Sequence, residues 1–343
     1  MKKRFLISML VFIFALLAGC SSSDDSGVKG KDKDGKEGLP KEVKIGYQVI
    51  PNAELLAKHQ SALEKKFPDV KITWVEFDSG RDVNTAMASG NIDLGLVGSV
   101  PLATGIANDL PYQVYYIHDV IGDAESLVVQ KDAGIQKLED VVGKKIAVPF
   151  GSTAHFSLLM ALDQAGIKPD QLSILDMQPQ DILAAWLRKD IDGAFVWHPT
   201  LGKILEDQGV VLTSAKNLAE DGIVTSDVGV VQKKFAEAYP AFIKSYIQIL
   251  DDSVKLYRDK PEDVTKELAG ALGISEEQTK AQLEGLIWID YAEQQDAKYL
   301  GTEGKPGNFA EVLQATGKFL EEQKIIPASP DLETYQSAIY HSK

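Results

Sequence analysis

The sequence predicts an α/β fold of two lobes with a helical C-terminal part. Short apolar runs alternate with helical stretches from residue 43 to about residue 231, the order expected of a mostly parallel sheet covered by helices. One stretch is echoed later in the chain: Ile92-Asp93-Leu94-Gly95-Leu96-Val97-Gly98-Ser99-Val100-Pro101 returns as Ile191-Asp192-Gly193-Ala194-Phe195-Val196-Trp197-His198-Pro199. In both copies Ile-Asp opens a short strand and a proline follows close behind. With 343 residues there is chain enough for two cores.

The first elements concern targeting. Lys2, Lys3 and Arg4 precede an apolar run at 5–16, the layout of a signal peptide. Leu17-Ala18-Gly19-Cys20 then matches the lipoprotein box, which predicts cleavage after residue 19 and lipidation of Cys20. The apolar run is short for a membrane span, and no other segment is long and apolar enough to cross a bilayer. Acyl chains contribute about 0.8 kcal/mol per buried CH₂, so the expected location is the outer face of the cytoplasmic membrane. Cys20 is the single cysteine, which excludes a disulfide framework and thiolate chemistry elsewhere. Residues 20–42 are Ser, Gly, Lys and Asp with few apolar side chains, and read as a solvated tether. The net charge of −14 argues against a nucleic-acid partner.

Strands are expected at 43–47, 70–77, 94–97 and 112–117, with helices reaching to about 67 and at 81–89 and 101–108. A longer strand at 125–130 leads out of this lobe. The second unit has strands at 146–148, 172–175, 193–196 and 210–213, and helices at 156–165, 179–188 and from 199. A strand at 227–231 returns to the first lobe. Helices follow at 240–258, 261–272, 275–286 and 309–322. The organisation is therefore lobe 1 at 43–130 plus 223–343, and lobe 2 at 131–222.

The stretch Gly143-Lys144-Lys145-Ile146-Ala147-Val148-Pro149-Phe150-Gly151-Ser152-Thr153-Ala154-His155 carries the site argument. Pro149 and Gly151 end a buried strand, and Ser152 or Thr153 suits a helix N-cap. A strand that turns straight into a helix leaves free N–H groups at one spot, where an anion is favoured; His155 can add a donor. Ligands of such sheets sit beyond the carboxyl ends of the strands. Those ends carry Gln48, Asp78, Ser99, Ser152, Thr153, His155, Trp197 and Asp227. Together they offer donors for an anionic group, carboxylates for a cationic one and an indole face for the carbon between, the inventory for a small zwitterion. Each has another use: Asp78 and Asp227 as caps, Trp197 as core, His155 as a bond to its own helix end. His198 is read as lying behind the contacts or exposed, and His59, His118 and His341 as surface or core. No Gly-x-Ser-x-Gly elbow, Walker loop, dinucleotide glycine fingerprint or metal-ligand spacing is present, so neither a metal nor a cofactor is expected, and catalysis is not.

These motifs resemble the substrate-binding lipoproteins of ABC importers, in particular the taurine and aliphatic-sulfonate group. The resemblance runs through Phe77-Asp78-Ser79-Gly80, Gly98-Ser99-Val100-Pro101, Glu125-Ser126-Leu127-Val128-Val129, the stretch at 143–159 and the stretch at 184–199. It implies the two-lobed type II periplasmic-binding fold, with a hinge near 127–131 and 222–226. It implies a monomer that delivers its ligand to an ABC permease. It further implies a sulfonate held by Ser152, Thr153, His155 and Ser99, an amine held by Asp227, and Trp197 against the ethylene bridge, with Gln48 and Asp78 near. Val100 stands where a second small polar residue is expected. Taurine is the expected ligand; an amine-free aliphatic sulfonate or another small anion is the alternative, and an enzyme or sensor role a third reading. The segment at 288–291 is expected to pack on lobe 1 and to face the permease.

Overall fold

A computed structural model describes residues 38–341. The signal peptide, Cys20 and most of the expected tether lie outside the described residues.

The chain begins with strand β1 (Glu42–Tyr47), helices α1 (Ala53–His59) and α2 (Ala62–Lys66), β2 (Lys71–Glu76), α3 (Gly80–Ala88), β3 (Leu94–Gly98), α4 (Ser99–Ala107) and β4 (Tyr112–Ile121). It continues through β5 (Glu125–Val129), β6 (Lys145–Val148), α5 (Thr153–Gln164), β7 (Ser173–Asp176), α6 (Pro179–Leu187), β8 (Gly193–Trp197), α7 (Thr200–Glu206), β9 (Val210–Ser214), α8 (Ala215–Glu220) and β10 (Ser226–Gln232). The C-terminal part holds α9 (Lys233–Ala238), α10 (Pro240–Asp259), α11 (Pro261–Leu272), α12 (Glu276–Glu284), β11 (Leu286–Trp288), α13 (Tyr291–Gln294), α14 (Phe309–Glu322) and α15 (Leu332–Ser337).

Two main sheets result, in the orders β11-β4-β10-β3-β1-β2 and β7-β6-β8-β5-β9. Side chains alternate across each sheet, as strand geometry requires. In the second sheet Leu127, Val129, Ile146, Val148 and Phe195 face one core, with Leu158 and Leu162 of α5. Val128, Ala147, Ala194 and Val196 face the other, with Ile182, Trp186, Leu201 and Ile204. This is the two-lobed α/β fold of periplasmic binding proteins.

The echo has a structural cause. Asp93 and Asp192 do the same work in the two lobes. Asp93 Oδ2 accepts from the Lys44 N–H at 2.8 Å, and Asp192 Oδ2 accepts from the Lys145 N–H at 2.8 Å. The backbone N–H of each aspartate donates back to the carbonyl of the same lysine, at 2.8 and 2.9 Å. The carbonyl of each aspartate then accepts from the backbone N–H at the end of the antiparallel neighbour, Gln232 in one lobe and Gln130 in the other. The sheets are thus wired alike: β10-β3-β1-β2 corresponds to β5-β8-β6-β7.

Three expectations need correction. Residues 125–130 do not belong to lobe 1, because β5 pairs antiparallel with both β8 and β9 in the second sheet. All five β5 residues are buried, as a central strand demands. The outgoing crossover is therefore 122–124, not 127–131. There the N–H groups of Gly122 and Ala124 both donate to the Gly285 carbonyl, at 2.9 and 3.2 Å. Second, the helix expected at 275–286 stops at Glu284, and Leu286–Trp288 instead adds a strand to the edge of the first sheet, against β4. Third, the first helix is broken in two, with Ser61 in the left-handed region at φ 52°.

Candidate functional site

A cavity of about 40 Å³ lies between the carboxyl ends of the two sheets, room for a small molecule. Lobe 1 supplies Gln48, Gly98 and Asp227; lobe 2 supplies Glu125, Ser152, Thr153, Trp197 and His198. Gln48 and Trp197 also border an outer space of about 90 Å³, whose far wall carries Asp78 and Gln180.

The donor side is built by helix starts. Ser152 caps α5: its Oγ accepts from the His155 N–H at 3.1 Å and donates to the Pro149 carbonyl at 2.6 Å. Gly151, at φ 76°, permits the turn. Thr153, the first residue of α5, packs across the cleft onto lobe 1. A Cβ on Gly98 would stand 2.7 Å from its methyl carbon, so only glycine lets the two helix starts approach this closely. Facing it, α4 starts at Ser99, whose Oγ accepts from the Ser226 N–H at 3.3 Å. The Ser99 and Ser152 hydroxyls are thus engaged in structure, and the cavity meets the helix N-termini themselves, which favour an anion.

Acids stand beside these helix starts. Asp227 stands opposite Gly98 on β3 and Asp119 on β4. Glu125 stands opposite Trp197 on β8. Its Oε2 accepts from Thr153 Oγ1 at 2.5 Å, while its Oε1 has no partner. Both carboxylate oxygens of Asp119 are buried without a partner. Burial raises all three acids, and the charge of Asp227 adds to it at Glu125 and Asp119. Glu125 is pushed up to about 8 despite the hydroxyls of Thr153 and Ser157. Asp227 and Asp119 are both raised, the latter also by the charges of Asp227 and Glu125. Among the described residues no lysine or arginine offsets them. Unpaired buried carboxylates are costly, so burial holds these acids in their protonated form unless a cation lies against them.

Of the residues named from the sequence, Gln48, Ser152, Thr153, Trp197 and Asp227 line the cavity, and Ser99 lies directly behind Gly98. Gln48 is fixed by its Nε2 donating to the Leu96 carbonyl at 3.0 Å. Two residues lie elsewhere. The His155 ring turns back to stack on Phe150 at 4.5 Å, and its Nδ1 accepts from the Gly151 N–H at 3.3 Å. It faces an outer groove beside Leu159 and Ile325. Burial lowers it to about 4, against the opposing charge of Asp176, so it is neutral. Asp78 is exposed at the rim and accepts from Gln180 Nε2 of lobe 2 at 3.0 Å. Beside it, Gln178 donates to Asp82 at 3.0 Å and Arg81 pairs with Asp176 at 2.8 Å, so this rim joins the lobes.

His198, Glu125 and Asp119 were not read from the sequence as contacts. His198 is buried in the cavity wall, not exposed, and desolvation lowers it to about 4. The signal for the acids was present: Asp119 interrupts an apolar strand, and Glu125 opens one. Among the described residues no group of three or more His, Cys, Asp or Glu is arranged to hold a metal ion, and no helix is long and apolar enough to cross a membrane.

A space between two like-wired sheets, lined by helix N-termini and by buried acids, defines a two-lobed solute-binding protein. A family model described as the substrate binding domain of an ABC-type glycine betaine transport system matches residues 41–271, and the chain belongs to this family. It is 37% identical over 293 residues to the taurine-binding periplasmic protein of Escherichia coli strain K12, covering 83% of this chain and 88% of that one. Among solved structures, the alkanesulfonate-binding protein SsuA from Xanthomonas axonopodis pv. citri bound to MOPS superposes with a TM-score of 0.73 at 22% identity, covering 89% of this chain and 99% of that one. The periplasmic aliphatic sulphonate binding protein SsuA from Escherichia coli gives 0.69 at 25% identity, over 87% and 97%.

Proposed function

We propose that this protein captures taurine, or a close aminosulfonate, between its lobes outside the cytoplasmic membrane and delivers it to an ABC permease. The observation that carries the reading is the cavity's double character: the helix starts at Ser99 and Thr153 lie beside the buried acids Asp227 and Glu125, which no lysine or arginine among the described residues offsets. The sulfonate lies at the helix starts, the amine at Asp227, and the Trp197 indole along the two carbons. The taurine-binding relative supports the ligand class. An amine-free sulfonate is the second reading, supported by the alkanesulfonate-binding structural neighbour. Against it, such a ligand brings no cation or N–H donor to Asp227 and Glu125. No turnover is part of the reading, and Cys20 serves as the lipid anchor.

Calorimetry with taurine and propane-1-sulfonate, which replaces the ammonium by a methyl group, tests the proposal. Tighter binding of taurine supports it; equal or tighter binding of propane-1-sulfonate selects the second reading. Mass spectrometry of the mature chain isolated from membranes tests the anchor, which fails if Cys20 carries no acyl group.

A further inference from the structure

We infer that Glu125 is a second ammonium-binding carboxyl, the lobe 2 counterpart of Asp227, so that the ligand's amine is held by one acid from each lobe. The inference rests on the aminosulfonate reading above and extends it.

The correspondence follows from the repeated wiring. Aligning the echoed strands on Asp93 and Asp192 places Gly98 level with Trp197. Asp227 is the ladder partner of Gly98, and Glu125 is the ladder partner of Trp197. The two acids therefore occupy the same position in the two sheets and reach one cavity from opposite lobes. Glu125 is 1% exposed, lines that cavity and keeps Oε1 without a partner, while Oε2 is steadied by Thr153. No metal-holding group is formed among the described residues, so the cation is one that a ligand carries. Carboxylate oxygens recognise N–H groups, and Trp197 is the one benzenoid ring lining the cavity. A quaternary ammonium, which has no N–H and is held by aromatic faces, fits poorly. The site selects a primary ammonium.

The test is calorimetry of the whole mature chain, as wild type, Glu125→Gln and Asp227→Asn, with taurine, N,N,N-trimethyltaurine and propane-1-sulfonate. Glu125→Gln is expected to weaken taurine roughly ten- to a hundredfold, the scale of a charge-assisted hydrogen bond. It should leave propane-1-sulfonate unchanged or tighter, and wild type should bind trimethyltaurine at least roughly tenfold more weakly than taurine. Loss of taurine and propane-1-sulfonate in equal measure would reduce Glu125 to a prop for Thr153 and overturn the inference. So would an unchanged taurine affinity, or trimethyltaurine binding as well as taurine. If wild type already prefers propane-1-sulfonate, the aminosulfonate reading fails first and the inference with it. Should Glu125→Gln not fold, Glu125→Asp keeps the charge on a shorter arm: a loss confined to taurine supports the inference, and an equal loss for both sulfonates overturns it.

Discussion

The two lobes share their wiring and differ at their tips. Asp93 and Asp192 pin equivalent strands through equivalent bonds. Asp227 and Glu125 stand at equivalent ladder positions. At the end of the echoed strand, lobe 1 offers Gly98 and Ser99, whereas lobe 2 offers Trp197 and His198. What is repeated either holds a sheet together or, in the proposed binding mode, meets the same end of a ligand from two sides. What is not repeated gives the cavity its shape: glycine admits the start of α5, and the indole of Trp197 lines the space, where the proposal places the carbon chain.

The largest effect expected from breaking the comparison is at Asp227. Asp227→Asn should weaken taurine roughly a hundredfold while changing propane-1-sulfonate affinity less than about threefold, read by calorimetry; equal losses would remove its amine role.

The next concerns pH. In the fold Glu125 is raised from 4.5 to about 8 and Asp227 from 3.8 to about 7, so both retain protons that the unfolded chain has already released. Stability contributed by this protonation is present at low pH and is lost as pH rises through these folded values. Thermal melts of the ligand-free protein should fall between pH 5 and pH 8 (about three units), and Glu125→Gln should raise the melting temperature at pH 8 by a few degrees. Saturating taurine should raise it most at pH 8, because the ammonium lets the acids ionise. Glu54 is a control: burial raises it to about 7, but it bonds Tyr246 at 2.7 Å inside lobe 1, away from the cavity. Glu54→Gln should leave the increment due to taurine unchanged. A pH profile independent of Glu125 would contradict the account.

Smaller effects separate the structural repeat from the functional one. Asp93→Asn and Asp192→Asn should each cost about 1 kcal/mol of stability by denaturant titration, with taurine affinity within about twofold; unequal costs would show that the wiring is not shared in energy. The smallest effect is expected at residues the fold turns away. His155→Ala should change taurine affinity less than about twofold, since its ring stacks on Phe150 outside the cavity. A larger loss would return His155 to the site.

Much of this was legible in the sequence because it is local. Strand breaks at Pro149 and Gly151, the Ser152 cap and the echoed Ile-Asp are patterns of neighbouring residues. Asp227 could be placed because it opens a short strand. Side-chain direction was not legible. Whether His155 meets the cavity depends on Phe150, and whether Asp78 does depends on Gln180, 102 residues away. Glu125 escaped because its strand was assigned to the wrong sheet; with β5 between β8 and β9, its first residue lies at the end of the sheet that borders the cavity.

The most direct test is a crystal structure of the mature protein with taurine. The account predicts the nitrogen within hydrogen-bond distance of both Asp227 and Glu125, with sulfonate oxygens at the starts of α4 and α5. Taurine lying the other way round, or absent from the space between the lobes, would contradict it.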